Sequence, residues 1–114
     1  MKQVIVLRKD LKMRLGKSVA QGCHASYMAI QKATKAQVKE WLEKHNQTKI
    51  CVSVDSVEEL DQVWQAAIDN KLPCSYVIDI GKTEFNGVAT PTAVAIGPAN
   101  SEDIDKITGK LKLL

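Results

Sequence analysis

Apolar residues follow two rhythms along this chain. Val4 to Leu7 is an unbroken, β-branched run closed by charge, the pattern of a strand buried on both faces of a sheet. From Ser18 the period lengthens. Val19, Ala20, Cys23, Tyr27 and Ile30 recur at helical spacing, and Ser18 with Gln21 forms a capping-box pattern, so a helix is predicted to start at about Ser18. Thr34 and Gln37 repeat the box ahead of Val38, Trp41 and Leu42, predicting a shorter helix that ends near His45 and Asn46. Lys49 to Val54 is the next β-rich run, and Ser56 with Glu59 opens a helix carrying Leu60, Val63, Trp64, Ala67 and Ile68. Lys71, Leu72 and Pro73 break that stripe. Ser75 to Ile80 then reads as a third strand, Gly81 to Pro91 as a long loop and Thr92 to Ile96 as a fourth strand. Asn100 or Ser101 caps a last helix that stops at Gly109, before an apolar tail from Leu111 to Leu114.

This order predicts the α/β class: a three-layer α/β/α sandwich about a four-stranded mixed, mostly parallel sheet. Strands three and four, with no helix between them, supply the antiparallel step. In open sheets of this class ligands bind beyond the carboxyl ends of the parallel strands, an edge that would gather Arg8 to Lys17, Asp55 and Asp79. At 114 residues, 45% hydrophobic and 25% charged, the chain suits one globular domain spanning 1–114.

Composition narrows the partners. The net charge is only +3, but residues 1–17 hold Lys2, Arg8, Lys9, Lys12, Arg14 and Lys17 against Asp10 alone, a local basic field that attracts phosphates. A solvated surface run looks the same in sequence. Val4 to Leu7 is too short for a signal-peptide core or a membrane span, so a cytoplasmic protein with no membrane partner is expected. Cys23, Cys51 and Cys74 lack CxxC or Cys/His spacing, and they read as reduced, mostly buried thiols with no metal site.

Two places could carry chemistry. Gly16 and Lys17 precede the first predicted helix, where backbone N–H groups, the helix dipole and an ammonium favour an anion; Gly16 as a turn residue and Lys17 as a solvated cation is the plainer alternative. The full GxxxxGK[ST] pattern fails because position 11 is leucine, which argues against a nucleotide triphosphatase. Asp79 ends an apolar strand before Gly81, Lys82 and Thr83, a placement suited to a base, an orienting group or a simple cap. His24 reads as a hydrogen-bonded core histidine ahead of the alternative, a proton shuttle at the cleft; His45 reads as a helix-end cation, and Trp41 and Trp64 as core. Thr83, Thr90 and Thr92 flank the same loop but are also ordinary strand residues.

Four blocks then resemble one family in order along the chain. Gly16 to Ala25 is similar to the G-K-x-x-A-Q-x-x-H-A signature of type II peptidyl-tRNA hydrolases, and Val52 to Ser56 with Glu58, Glu59 and Leu60 resembles their second strand and helix start. Asp79, Gly81, Lys82 and Thr83 resemble their D-x-G-[KR]-T segment, and Ile96 to Pro98 with Ile107 to Leu114 resembles their ending. The resemblance implies hydrolysis of the ester of peptidyl-tRNA, no cofactor and a homodimer. It implies Lys17, Asp79 and Thr83 as catalytic residues, with Gln21 and Thr92 nearby. Gly16, Lys82, Arg8, Lys12 and Arg14 are the further candidates for binding substrate. Ile80, Glu84 and the loop from Asn86 to Pro91 depart from the family pattern and mark a divergent member. Glu84 adds negative charge near a phosphate site. It keeps open a catalytically silent tRNA- or protein-binding module, or a hydrolase of another small ester.

Overall fold

The computed structural model describes residues 1–81 and 85–114. Along the chain lie β1 (Lys2–Arg8), α1 (Leu15–Lys32), α2 (Lys35–Lys44), β2 (Lys49–Val54), α3 (Val57–Asp69) and β3 (Cys74–Asp79). A 3-10 turn (Phe85–Gly87), β4 (Thr90–Ala99), α4 (Ser101–Thr108) and β5 (Lys112–Leu113) complete it. The result is an α/β fold with one mixed sheet in the order β3-β4-β1-β2-β5.

Two expectations about the sheet need correction. Among the described residues it has five strands rather than four, because the tail contributes Lys112 and Leu113 as a short strand antiparallel to β2. Two residues are too few to show a strand period. Nor is the sheet mostly parallel: β1 and β2 are parallel neighbours, whereas β4 runs antiparallel to both β1 and β3. The reason is topological. β3 does point the same way as β1 and β2, but β4 turns back after the loop and inserts between β3 and β1, separating the parallel strands.

Both faces of the sheet are filled. Val4 and Val6 of β1 join Leu60, Val63 and Ile104 of α3 and α4 in one cluster, while Ile5 and Leu7 meet Ala25 and Ala29 of α1 in another. The period-two alternation within a doubly buried strand divides its side chains between the two. Small residues let α1 lie close to the sheet, and a Cβ built on Gly22 would already stand 3.6 Å from Ile5. Polar bonds then fix its position. The fully buried Gln3 donates to the carbonyls of Ser26 and Gly97, the Ser26 hydroxyl donates to Gln3, and the Ser75 hydroxyl donates to the carbonyl of Ala25 at 2.7 Å.

The helix ends largely follow the expected chemistry. Thr34 and Gln37 form the complete reciprocal capping box of α2, and Trp41, fully buried, donates from its indole to the carbonyl of Thr48. Ser56 caps α3, although the Glu59 carboxylate turns to the N–H of Asp55. Asn100 caps α4, and Gly109 ends it. The start of α1 differs from the expectation: it begins at Leu15, and Ser18 is no cap because its N–H already donates to the carbonyl of Arg14 at 2.9 Å. Two of the three cysteines, Cys23 and Cys51, are exposed and only Cys74 is buried, so the expectation of mostly buried thiols is also corrected. Among the described residues no helix is long and apolar enough to cross a membrane.

Candidate active site

The carboxyl ends of β1, β2 and β3 share one edge of the sheet, and there α1 brings Lys17 to Asp79. Lys17 Nζ donates to Asp79 Oδ1 at 2.8 Å, with both side chains mostly shielded from solvent. Gln21, one helical turn further along, directs its amide at the same oxygen at 3.4 Å. Its own carbonyl accepts from the hydroxyl of Thr92 at 2.5 Å, so the buried pair Gln21 and Thr92 ties α1 to β4 beneath the carboxylate. The second oxygen, Asp79 Oδ2, accepts the backbone N–H of Gly81 at 3.0 Å. Asp79 is therefore held at both oxygens.

Local conformation makes this possible. Gly81 has φ of +83°, and a Cβ there would lie 2.7 Å from backbone atoms of Gly87 and Val88, so only glycine lets the chain fold back at this point. Phe85, in the turn that follows, lies with its ring centroid 5.9 Å from Lys17 Nζ. The hydrogen bond from Lys17 holds the Asp79 carboxyl below the ordinary carboxylate range. Burial opposes that shift, and the Gly81 N–H with the electrostatic influence of Lys17 and His24 adds to it. The carboxylate is thus ionised throughout the neutral range.

The other expected residues are scattered around this pair. Gly16 lies in the first turn of α1 rather than before it, and nothing stands within 4 Å of a Cβ built on it. Lys12 and Arg14 are exposed on the segment between β1 and α1, Lys12 with φ of +51°. Arg8 is engaged elsewhere: its guanidinium chelates Asp10 and donates to the carbonyl of Pro91 at 2.9 Å, clamping β1 to β4. Lys82, Thr83 and Glu84 lie outside the described residues.

Two neighbours take parts that the favoured sequence reading did not give them. His24 is exposed, not a core residue, and acts electrostatically on Asp79. The spacing Lys17, Gln21, His24 would have put it on the carboxylate side of α1, whereas the flanking apolar residues suggested the core. Gly81 is the second, its N–H being a donor that no side-chain pattern announces. Among the described residues no group of three His, Cys, Asp or Glu side chains converges.

Comparison with known proteins bears on what this site is for. The family model described as Peptidyl-tRNA hydrolase PTH2 matches residues 1–114. A peptidyl-tRNA hydrolase of Methanocaldococcus jannaschii is 46% identical over 117 residues, covering 100% of both chains. That of Aeropyrum pernix is 44% identical over 118 residues, covering 98% of this chain and 94% of the other. A solved structure of a protein of unknown function from Agrobacterium tumefaciens superimposes with a TM-score of 0.63 at 14% identity, covering 99% of this chain and 96% of that one, a likeness of fold alone. On the full-length match to its model and to these relatives, the chain belongs to the peptidyl-tRNA hydrolase PTH2 family.

Proposed function

We propose that this protein hydrolyses the ester that joins a peptide to the terminal ribose of tRNA, releasing the peptide and free tRNA. The Lys17–Asp79 pair carries the reading: an ammonium and an ionised carboxylate, 2.8 Å apart and largely screened from solvent, sit where the sheet's parallel strands end. Asp79 accepts a hydrogen bond from the attacking water. As the carbonyl oxygen gains negative charge, Lys17 turns its hydrogen bond to it, which frees Asp79 from the interaction that depresses its basicity. The carboxylate then takes the water proton and delivers it to the departing ribose oxygen. Oxygen from water ends on the peptide carboxyl group, which releases its remaining proton to solvent, and no covalent enzyme intermediate is needed, since an ester is a better electrophile than an amide. Gln21 and Thr92 orient Asp79, and Thr83 is assigned to position the water or the oxyanion. Gly16, Lys82, Lys12 and Arg14 are assigned to tRNA phosphates, with Arg8 shaping their segment.

We further propose a homodimer in the cytoplasm, with residues 1–114 acting as one domain. An apolar groove of about 530 Å³ runs beside α1, lined by Leu15, Val19, Tyr27, Cys51 and Leu114 among others. Leu15 is 83% and Tyr27 65% exposed, apolar area that supports burial against a second copy. Sedimentation should give twice the chain mass, reduced to one by Val19→Asp; a monomeric wild type would reject the dimer. The activity itself is tested by release of tRNA from N-acetyl-aminoacyl-tRNA. Multiple turnovers are expected, and absence of release across tRNA species would refute the reading.

A further inference from the structure

β3 is an edge strand, and it ends on Asp79. The N–H of Gly97 donates to the carbonyl of Pro73 at 2.8 Å, and the register continues through Cys74 opposite Ile96 to Val77 opposite Ala93. Antiparallel alternation therefore turns the backbone groups of Cys74 and Tyr76 outward, and among the described residues no strand pairs with that side.

The edge lies at the bottom of a trough. A stripe of α1 at helical spacing, Lys17, Gln21, His24, Met28 and Lys32, runs along it, the first two reaching Asp79. One crevice of about 400 Å³ is bounded by His24, Met28 and Ile78. A second, of about 610 Å³, is bounded by Met28 and Lys32 on one side, Trp64 and Ile68 on the other, and Cys74 to Tyr76 between them. Met28 lines both, and the first crevice reaches Ile78, the residue before Asp79.

We infer that the peptide part of the substrate binds here as an added strand, parallel to β3; this rests on the ester hydrolysis proposed above. The scissile carbonyl must sit at Asp79, so the preceding residues have to leave the site on one flank or the other. The inner flank, towards β1, carries Lys9, Lys12 and Arg14 and suits phosphates. The outer flank is the largely apolar trough. With its esterified end at Asp79, a peptide lying in it runs back towards Cys74 in the same direction as β3. The regular stretch from Cys74 to Val77, ahead of the register shift between Val77 and Ile78, accommodates about three residues of extended peptide at about 3.3 Å each, short of the one at Asp79. Recognition is then by main-chain hydrogen bonds, which every peptide sequence offers.

The test compares kcat/KM for N-acetylalanyl-tRNA and N-acetyl-tetraalanyl-tRNA, which share the same scissile residue. The longer substrate is expected to be cleaved about tenfold better, the worth of one or two net hydrogen bonds. N-methylation of alternate peptide amides should abolish the gain in one phase and spare it in the other, and Met28→Trp, which fills the trough, should bring the ratio towards one. A wild-type ratio near one, or a gain indifferent to N-methylation in both phases, overturns the added strand while leaving ester hydrolysis standing. No cleavage of either substrate overturns both.

Discussion

Thr92→Val removes a hydroxyl and almost nothing else. Thr92 is 0% and Gln21 3% exposed, and the bond between them measures 2.5 Å. A valine methyl occupies the space of the hydroxyl, so no cavity opens, but the Gln21 carbonyl oxygen loses this buried partner. An unsatisfied buried acceptor costs about 1–3 kcal/mol. For a chain of this size that corresponds to a fall in Tm of roughly 4–12 °C. The amide of Gln21 also loses its aim at Asp79. Because Lys17 and Gly81 still hold the carboxylate, kcat should fall only about three- to tenfold, with KM little changed. Adding Gln21→Leu removes the stranded acceptor, so the double variant should be more stable than the summed single effects predict, by about 1–2 kcal/mol. Calorimetric or urea unfolding of the four proteins, with hydrolysis of N-acetyl-aminoacyl-tRNA, measures both quantities. Strict additivity, or a Thr92→Val protein with unchanged Tm and kcat, would refute a working Thr92–Gln21–Asp79 chain.

Gly81→Ala should cost about 2 kcal/mol or more and depress kcat, because it combines φ of +83° with a Cβ 2.7 Å from backbone; unfolding that matches wild type would contradict this. Asp79 titrates below its unfolded value of about 4, so the stability it contributes is complete above that pH and disappears as pH falls through the folded value. Carboxyl carbon NMR should accordingly find it still ionised near pH 4, and midpoint protonation at or above that pH would be the contrary result. Tyr76, pushed up to about 12 by burial and then by its bond to Asp61, should ionise only near that pH, and Asp61→Asn should lower the midpoint in a spectrophotometric titration.

Local rules carried much of the fold. β-branched runs marked β1 to β4, and the box at Thr34 and Gln37 located the start of α2 because its geometry is satisfied within four residues. Sheet order was less legible. Nothing local to Thr90–Ala99 tells that strand to insert between β1 and β3, and Lys112–Leu113 becomes a strand only because β2 offers an edge. Ser18 misled for a related reason. Its side chain fits a cap, but the chain is already helical from Leu15 without one. At the site, Lys17 stands out in sequence by its place at the opening of the first helix and Asp79 by its place at the end of a strand. The exposure of His24 and the N–H of Gly81 depend on helix rotation and on one backbone angle, neither of which composition records.

The central claim is that the Lys17–Asp79 pair performs ester cleavage. Its most direct test is the single-turnover rate on N-acetyl-aminoacyl-tRNA for Lys17→Met and Asp79→Asn, each first shown to fold by circular dichroism. Each variant should lose about 100-fold or more, the scale of one electrostatic or acid–base group in a transition state, and the double variant should lose little beyond the worse single one. Wild-type rates in both variants would contradict the account.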